Sequence, residues 1–262
     1  MRSIAGCCSN ESRLYRQCRM GKLRQIWQRE QFEPSALGLL LNPYFFARRG
    51  LLRALKPLLA VLDGEVLDVG CGRMPYRKFT RAKRYVGVDI DSPVTRQLAA
   101  ADIFYDGHTL PFPAESFDTI LCSQVLEHVF EPENFLREIA RVLRPGGKLV
   151  LTVPFVWDEH EQPQDFGRYS SFGLAALLNR TGFTLEVQCK AVTGPWALVQ
   201  LVSGYLFKLT QTRSRVLSLA AQLLLIAPAN IVGGACAAVL PRSDDLYLDN
   251  IVLARKTAGA SQ

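Results

Sequence analysis

Residues 64–76 read GEVLDVGCGRMPY, and this stretch decides the fold of the chain. A short apolar run that contains one carboxylate, Asp68, breaks into Gly70, Cys71 and Gly72. This pattern is typical of a buried parallel strand followed by a tight turn, in which glycine lets the backbone approach a ligand closely. Because Asp68 stands where a carboxylate can meet a cation, the stretch predicts a site for a ligand with both a carboxylate and an ammonium group.

Outward from this turn, short apolar runs alternate with segments of helical periodicity. Two short helices are expected between residues 34 and 62, before the first strand. Further helices are expected at 76–82, 92–100, 131–143 and 170–181, and strands at 65–69, 85–89, 101–105, 117–123, 148–153, 183–189 and 249–254. Strands that alternate with helices predict an α/β fold, here a Rossmann-like, doubly wound sheet of seven strands.

Composition divides the chain into four parts. They are a basic tail at 1–33, N-terminal helices at 34–62, an α/β domain at 63–193 and 245–257, and an apolar helical insertion at 194–244, between strands six and seven. The net charge of +7 lies mainly in the tail, where residues 1–30 hold seven basic residues against Glu11 and Glu30. The tail is either a solvated segment or an anchor on an anionic membrane surface. Because the positive charge is confined to it, no nucleic-acid partner is expected.

The insertion contains no charged residue over the 25 positions from Val216 to Leu240, a length that raises the possibility of a membrane span. The seventh strand must return to the sheet that holds the sixth, so a single crossing is excluded. Pro228, Asn230 and the pair Gly233-Gly234 are expected to split the run into pieces too short to span. The insertion is then either a set of helices that cap the substrate face or a hairpin that dips into a membrane surface.

The chain has seven cysteines, and an odd number without any CxxC pair supports neither a disulfide framework nor a zinc site. No metal ligands are therefore predicted. Cys122 and Cys189 lie in apolar runs and are expected to be buried thiols, which suits a reducing cytosol. The N-terminus shows no apolar core of signal-peptide length. The expectation is a cytoplasmic protein, with a peripheral position on the inner membrane surface as the finer hypothesis.

Four motifs in a fixed order, the first of them within the stretch at 64–76, carry a family resemblance. They are VLDVGCG at 66–72, YVGVDI at 85–90, LPFPAESFDTILCSQVLEHV at 110–129 and FLREIARVLRPGGKLVLTVP at 135–154. This series resembles the class I S-adenosylmethionine-dependent methyltransferases, in their small-molecule "type 11" branch. The resemblance covers residues 64–190 and the last strand, and it implies a sheet whose seventh strand is antiparallel.

The resemblance also implies roles for individual residues in binding S-adenosyl-L-methionine. Gly70, Cys71 and Gly72 would surround the methionine end of the cofactor, and Asp68 would face its ammonium group. Asp89, at the end of strand two, would accept both ribose hydroxyls. The remaining contacts implied are Ile90 beside the adenine ring, Asp106 (or its rival Asp102) accepting from the adenine amino group, and Ser123 and Gln124 bordering the transferred methyl group.

The chain departs from the family at one position. A third glycine often follows two places after the second, and here Met74 stands there, followed by Pro75. The loop is therefore expected to turn differently. Pro75 also occupies the position where a nicotinamide-binding G-x-G-x-x-G sequence needs its last glycine.

An oxygen acceptor needs a base with a pKa near neutrality, and His160, in the loop after strand five, is the candidate, with a surface histidine as the alternative. His128 is expected to orient its loop. Tyr169, with Arg168, either holds the acceptor or caps a helix.

The leading function is methyl transfer from S-adenosylmethionine to a small or lipid-linked acceptor. Two alternatives stay open. One is a non-catalytic binding module that keeps the fold. The other is a nicotinamide-dependent oxidoreductase, which Pro75 disfavours.

Overall fold

The computed structural model describes residues 29–98 and 100–257, so most of the basic tail predicted at 1–33 lies outside the described residues. One sheet of seven strands organises this part of the chain, in the order β3-β2-β1-β4-β5-β7-β6. The strands are β1 Asp63–Val69, β2 Arg81–Ile90, β3 Ile103–Tyr105, β4 Phe117–Ser123, β5 Leu143–Pro154, β6 Phe183–Thr193 and β7 Tyr247–Lys256. All neighbours are parallel except β7, which is antiparallel to both β5 and β6. The predicted α/β class and the antiparallel last strand are confirmed.

Residues 29–32 are helical, and eight helices with both ends inside the described residues accompany the strands. They are α1 Gly38–Leu41, α2 Phe45–Leu59, α3 Pro93–Leu98, α4 Pro132–Val142, α5 Ser171–Arg180, α6 Pro195–Thr210, α7 Arg215–Ala221 and α8 Ala227–Val239. Single 3₁₀ turns lie at Arg77–Phe79 and Leu126–His128. The helix predicted at 76–82 is wrong, because β2 begins at Arg81, where a backbone hydrogen bond from Arg81 N to Leu62 O extends the sheet.

Alternate residues of β1 enter two separate apolar layers. Leu67 and Val69 face a layer that includes buried leucines and isoleucines of α4 and α5. Val66 faces the other layer, which is built largely from α2, where Leu55 and Leu59 are completely buried. Full burial of each such side chain stabilises the fold by about 1.5–3 kcal/mol, so helices on both faces hold β1 at the centre of the molecule.

The insertion leaves the sheet at the edge where the parallel strands end, since β6 runs in the same direction as β5. Its first helix, α6, is fixed to the N-terminal part of α2 by the fully buried Gln200. The Gln200 side chain accepts from Ala47 N at 2.9 Å and donates to Pro43 O at 2.9 Å. The first N–H groups of a helix lack partners within it, so Gln200 supplies a cap from another element. The N-terminal helices and the insertion therefore form one structure beside the carboxyl edge of the sheet.

The prediction that proline and glycine split the long apolar run is wrong. Arg215 to Val239 is one continuous helix, because a π-helical turn at Gln222–Ile226 joins α7 to α8 with helical backbone angles at each junction. A proline removes one backbone donor and crowds the preceding turn, and the wider π turn immediately before Pro228 accommodates both effects. The segment Val216–Val239 has a mean hydropathy of 1.9 and is long and apolar enough to cross a membrane.

One face of this helix is nevertheless attached to the domain. Ile226, Ala227, Asn230 and Ala237 are buried, and their spacing places them on one side of the helix. Asn230 accepts from Ser203 Oγ of α6 at 2.6 Å and donates to Leu39 O at 3.1 Å. We call α6, α7 and α8 together, residues 195–239, the apolar hairpin.

Candidate active site

The glycine turn after β1 depends on backbone angles that favour glycine. Gly70 and Gly72 have φ values of +67° and +50°, in the left-handed region. Gly72 N donates to Asp89 Oδ2 at 3.0 Å, which joins the turn to the end of β2. A Cβ added to Gly70 would lie 2.3 Å from Val125 Cγ2, whereas one added to Gly72 would meet nothing within 4 Å. The turn therefore leaves open space above Gly72 that a ligand can approach.

A cavity of about 290 Å³ lies beside the turn, at the carboxyl ends of the parallel strands. Its lining includes four residues predicted to bind the cofactor, namely Gly70, Asp89, Ile90 and Asp106, together with His128 and aromatic side chains such as Tyr105 and Phe166. Open α/β sheets bind ligands at this edge.

Asp68 lies in the wall behind the turn and is almost completely buried. Its Oδ2 accepts from the Tyr85 hydroxyl at 2.6 Å. Burial, only partly offset by that hydrogen bond, raises the pKa of Asp68 to about 7. Burial together with the carboxylates of Asp68 and Asp89 raises the pKa of the Cys71 thiol to about 12, so Cys71 is a neutral thiol in the wall. A carboxylate held in so little water gains more from a cationic partner than an exposed one would.

Met74, at the position of the family's third glycine, has a φ of +51°. The turn keeps a left-handed residue there although glycine is absent. The Met74 side chain lies over Gly87 of β2, where a Cβ would come within 2.2 Å of Met74 Cε. The methionine therefore closes the gap beneath the turn with apolar contact.

The two carboxylates considered for the adenine amino group have different surroundings. Asp106 Oδ1 accepts from His108 N at 2.9 Å and from Thr109 N at 3.1 Å, which lowers the pKa of this exposed group and keeps it ionised. Asp102 Oδ2 instead accepts from Gly87 N at 2.8 Å. Asp106 is the one that lines the cavity.

A polar cluster that the sequence did not reveal lies where β4 and β5 end and β7 begins. Gln124 donates through Nε2 to Thr152 Oγ1 and to Asp249 Oδ1, both at 3.2 Å, while Ser123 Oγ lies 2.9 Å from Thr152 Oγ1. Asp249 is buried, and burial raises its pKa to about 7. Tyr76 is also buried, and burial raises its pKa despite the opposing effects of Arg48 and Ser123. Ser123 and Gln124 thus belong to a larger group with two additional titratable residues.

Aromatic side chains connect the loop after β5 and the N-terminal helices to the apolar hairpin. The Tyr44 ring lies 5.8 Å from that of Trp157 and 5.7 Å from that of Phe207, measured between centroids. Asp158, next to Trp157, pairs with Lys208 of α6. On the other side of Tyr44 is a second cavity, of about 500 Å³, lined mainly by residues 30–32 and 41–44, Arg48, Phe207 and Gln222.

The three residues predicted to be catalytic lie in or beside the loop between β5 and α5, residues 155–170. The ring centroids of His160 and His128 are 4.9 Å apart. His160 Nδ1 lies 3.3 Å from Asp165 Oδ2, and burial lowers the pKa of this imidazole despite that neighbour. Tyr169 packs against the main core, and its carbonyl accepts from Asn250 Nδ2 at 2.6 Å. The structure therefore brings the two histidines together and places Tyr169 against the core.

Arg168, considered for holding the acceptor, is occupied by another partner. Its two terminal nitrogens contact the two carboxylate oxygens of Asp165 at 2.6 and 2.7 Å. This pairing holds the pKa of Asp165 well below its usual range and fixes the 155–170 loop.

Glu127, between β4 and α4, is the most unusual polar residue of the site. It is completely buried, and neither carboxylate oxygen has a hydrogen-bond partner. Burial raises its pKa to about 8. A buried carboxyl group without partners costs about 1–3 kcal/mol or more, so it calls for a functional explanation.

The sheet order, the antiparallel last strand and the glycine turn at the carboxyl edge define a class I, Rossmann-like fold. Residues 67–151 match the family described as "Methyltransferase domain". Over residues 67–151 the chain therefore carries a methyltransferase domain, as the motifs predicted.

Several known proteins are similar to this chain in sequence or in structure. The "Probable S-adenosylmethionine-dependent methyltransferase" of Mycolicibacterium smegmatis is 33% identical over 97 residues, which are 34% of this chain and 38% of that protein. The human "Probable tRNA methyltransferase 9B" is 32% identical over 107 residues, 38% of this chain and 23% of that one. The crystal structure of the cyclase SpnF aligns with a TM-score of 0.53 at 22% identity, over 81% of this chain and 82% of that one. The chain spans between 23% and 57% of the length of such curated relatives.

Proposed function

We propose that this protein transfers a methyl group from S-adenosylmethionine to an amphipathic, lipid-linked acceptor at a membrane surface. The observation that carries the proposal is the position of the apolar hairpin, whose first helix contacts the 155–170 loop beside the cofactor cavity. Methyl transfer itself also needs a direct test, because one protein with this fold is named a cyclase and a fold does not fix an activity.

The residues present fit the cofactor. The open space above Gly72 accommodates a ligand at a close-approach position, and Asp89 ends β2 where ribose hydroxyls need an acceptor. Asp68, buried with a raised pKa, gains a partner from an ammonium group. When bound, the sulfonium group supplies an activated methyl for in-line displacement, and the protein aligns the acceptor and excludes water.

Two titratable groups near the cofactor cavity are candidates for taking a proton from the acceptor, one beside His128 and one beside Gln124. His160 forms an imidazole–carboxylate pair with Asp165. Asp249 has a pKa near 7 and contacts Gln124, which borders the transferred methyl in the family. A general base works best when its pKa lies near the operating pH.

The second cavity supports an acceptor with an apolar chain. Its walls include the aromatic rings of Phe32, Tyr44 and Phe207, and Arg48 contributes a positive charge. Arg48 is also close enough to Asp249 to lower its pKa. An acceptor whose apolar chain lies in this cavity would place an anionic group at Arg48. Its head group would then extend past Tyr44 toward the polar cluster.

The outer surface of the hairpin supports a membrane contact. Large apolar side chains are exposed along all three helices, namely Leu198, Val202, Tyr205, Leu209, Val216, Leu217, Leu219, Leu223, Leu224, Leu225, Ile231, Val232 and Val239; we call this set the apolar face. An exposed apolar area of this extent is unusual in a soluble monomer and marks an interaction site. Arg213, in the turn between α6 and α7, adds a positive charge beside this face, which suits anionic lipid.

The buried side of α8 favours a helix that lies in the membrane interface over one that crosses the bilayer. Its inner face stays packed through Ile226 and Asn230, while its outer face is free to enter the acyl boundary. The location proposed is thus the inner surface of the cytoplasmic membrane, with the enzyme attached peripherally.

Liposome flotation tests the membrane contact. The purified protein should float with vesicles that contain anionic lipid, and the double substitution Leu224→Asp with Val232→Asp should abolish flotation, because Leu224 is 74% and Val232 60% exposed. Ile226 is unsuitable for this test because it is 1% exposed and belongs to the core. The matched control is Val94→Asp, which is 66% exposed on α3, away from the hairpin, and should float like wild type.

Methyl transfer is tested by incubating the protein with radiolabelled cofactor and cell extract separated into lipid, aqueous and RNA fractions. Label should enter the lipid fraction. Label in the aqueous fraction alone would leave a methyltransferase with a soluble acceptor, and label in RNA would favour the activity named for the human relative. A wild-type protein that neither binds the cofactor nor transfers label would show that the fold serves binding alone.

A further inference from the structure

Three side chains near the cofactor cavity bring metal-ligating atoms together. Glu127 and His128 lie in the 3₁₀ turn after β4, and His160 lies in the 155–170 loop. One ligand atom from each of the three lies within 4.8 Å of the others. Two imidazoles and one carboxylate form a donor set that proteins use for divalent transition metals.

Glu127 provides an independent reason to expect a cation. It is 0% exposed, and both of its oxygens lack any hydrogen-bond partner. His128 Nε2 lies 3.9 Å from Glu127 Oε1, so the unsatisfied carboxylate points toward the imidazole pair. A metal ion bound here would satisfy the carboxylate that the protein leaves without a partner.

The Nδ1 atom of each histidine has a hydrogen-bonding neighbour, as the non-ligating nitrogen of a metal-bound histidine usually does. His128 Nδ1 lies 2.5 Å from Gln164 O, which directs Nε2 toward Glu127. His160 Nδ1 lies 3.2 Å from Asp158 O and 3.3 Å from Asp165 Oδ2, leaving its Nε2 free to bind. Hydrogen bonds of this kind fix the tautomer and orient the ring, and they are typical of the second layer around a metal.

We propose that Glu127, His128 and His160 bind one divalent transition-metal ion, of the Zn²⁺ or Mn²⁺ class. Donors around such an ion lie about 2.0–2.2 Å from it, and tetrahedral ligands are then about 3.4 Å apart. The side chains must therefore move together by about 1 Å on binding. Glu161 Oε2, 3.8 Å from His128 Nε2, is placed to become a fourth ligand or to leave that position to the acceptor.

The ion would act at the proposed methyl-transfer site, and this part of the inference rests on the proposed function. His128 lines the cofactor cavity, so a metal at the cluster would bind an acceptor oxygen at its edge and favour the deprotonated form. With the ion bound, His160 is a ligand, and Asp249 remains the group that accepts the proton.

Metal binding can be measured without methyl transfer. Full-length protein, freed of metal with a chelator, is titrated with Co²⁺ while its d–d absorption is followed, and Zn²⁺ is then added as a competitor. One equivalent should bind. Glu127→Gln and His160→Gln should each weaken binding at least about tenfold. His108→Ala, the remaining histidine of the chain, should bind Co²⁺ like wild type.

Two results would overturn the proposal: no Co²⁺ or Zn²⁺ binding by wild type, or unchanged affinity in both ligand variants, which would assign the binding to other groups such as the cysteines. The His160 side chain is 32% exposed and lies outside the core, so its replacement should leave the fold intact. The His160→Gln variant therefore still tests the proposal if Glu127→Gln does not fold. Calorimetry with S-adenosylmethionine on the same samples reports separately on the proposed function, since cofactor binding can persist when metal binding fails.

Discussion

The two glycines of the cofactor turn should respond differently to the same substitution. Both have positive φ, so Gly70→Ala and Gly72→Ala each cost about 1–2 kcal/mol for the left-handed backbone. Only the Gly70 methyl would collide with another side chain, at 2.3 Å from Val125 Cγ2. Overpacking of that kind costs about 1–3 kcal/mol more. Gly70→Ala should therefore lose about 2–5 kcal/mol of stability in all.

Chemical denaturation of wild type, Gly70→Ala and Gly72→Ala measures this difference in stability. Calorimetry measures the affinity of each protein for the cofactor. Gly72→Ala should be the more stable variant yet bind S-adenosylmethionine about tenfold more weakly or worse, because its methyl enters the open space above the turn.

A double-mutant cycle separates the collision from the backbone cost. In a Val125→Ala background, Gly70→Ala should lose only the backbone term, because the colliding methyl is gone. Equal stability losses for Gly70→Ala and Gly72→Ala, with no coupling to Val125, would refute the reasoning.

Three further predictions concern the same site. Asp89→Ala should weaken cofactor binding by about 1–3 kcal/mol by calorimetry, and Asp89→Asn by less, since its amide oxygen can still accept from Gly72 N; unchanged affinity would remove Asp89 from the site. Asp68 has a pKa of about 7 in the fold against 3.8 when unperturbed, so the folded protein holds an extra proton between these values. The contribution of Asp68 to stability without cofactor should fall as pH rises from about 4 to about 7 and then level off, and Asp68→Asn should remove that part of the slope while Asp249 and Glu127 keep theirs; an identical pH profile would contradict the assignment. His160→Ala should lower turnover about 100-fold while cofactor affinity stays constant, whether His160 acts as the base or as a ligand of the proposed metal ion, and near-normal turnover would place this histidine outside the reaction.

The sheet could be predicted from the sequence because apolar runs and glycine turns are local signals. β4 has the bounds expected at Phe117–Ser123, since Glu115-Ser116 precede its apolar run and Ser123-Gln124 end it. β5 begins at Leu143, before the Pro-Gly-Gly sequence, because Leu143 pairs with Phe117 of the neighbouring strand. The continuity of the helix through Pro228 could not be predicted from the sequence either, because it depends on a π turn that packs against α6.

Some residues of the candidate site could be predicted from the sequence and others could not. Asp89, Ile90 and Asp106 could be placed because they lie at strand ends or directly after one, where the order of the chain fixes their position. Asp249 and Glu127 gave no signal, since their significance lies in burial and in partners far along the chain. The metal-ligand cluster likewise combines an adjacent pair with a histidine about thirty positions later, a spacing without a recognised pattern.

The order of strands has a consequence for how the protein is made. β7 follows the apolar hairpin in the chain but lies between β5 and β6 in the sheet. During translation the hairpin leaves the ribosome while β5 and β6 still have unpaired edges, and the sheet closes only when β7 arrives. An unfinished sheet beside an exposed apolar hairpin is prone to aggregate. Early contact of the hairpin with a membrane would shield it during that interval, so the same surface would serve both the nascent chain and the finished enzyme.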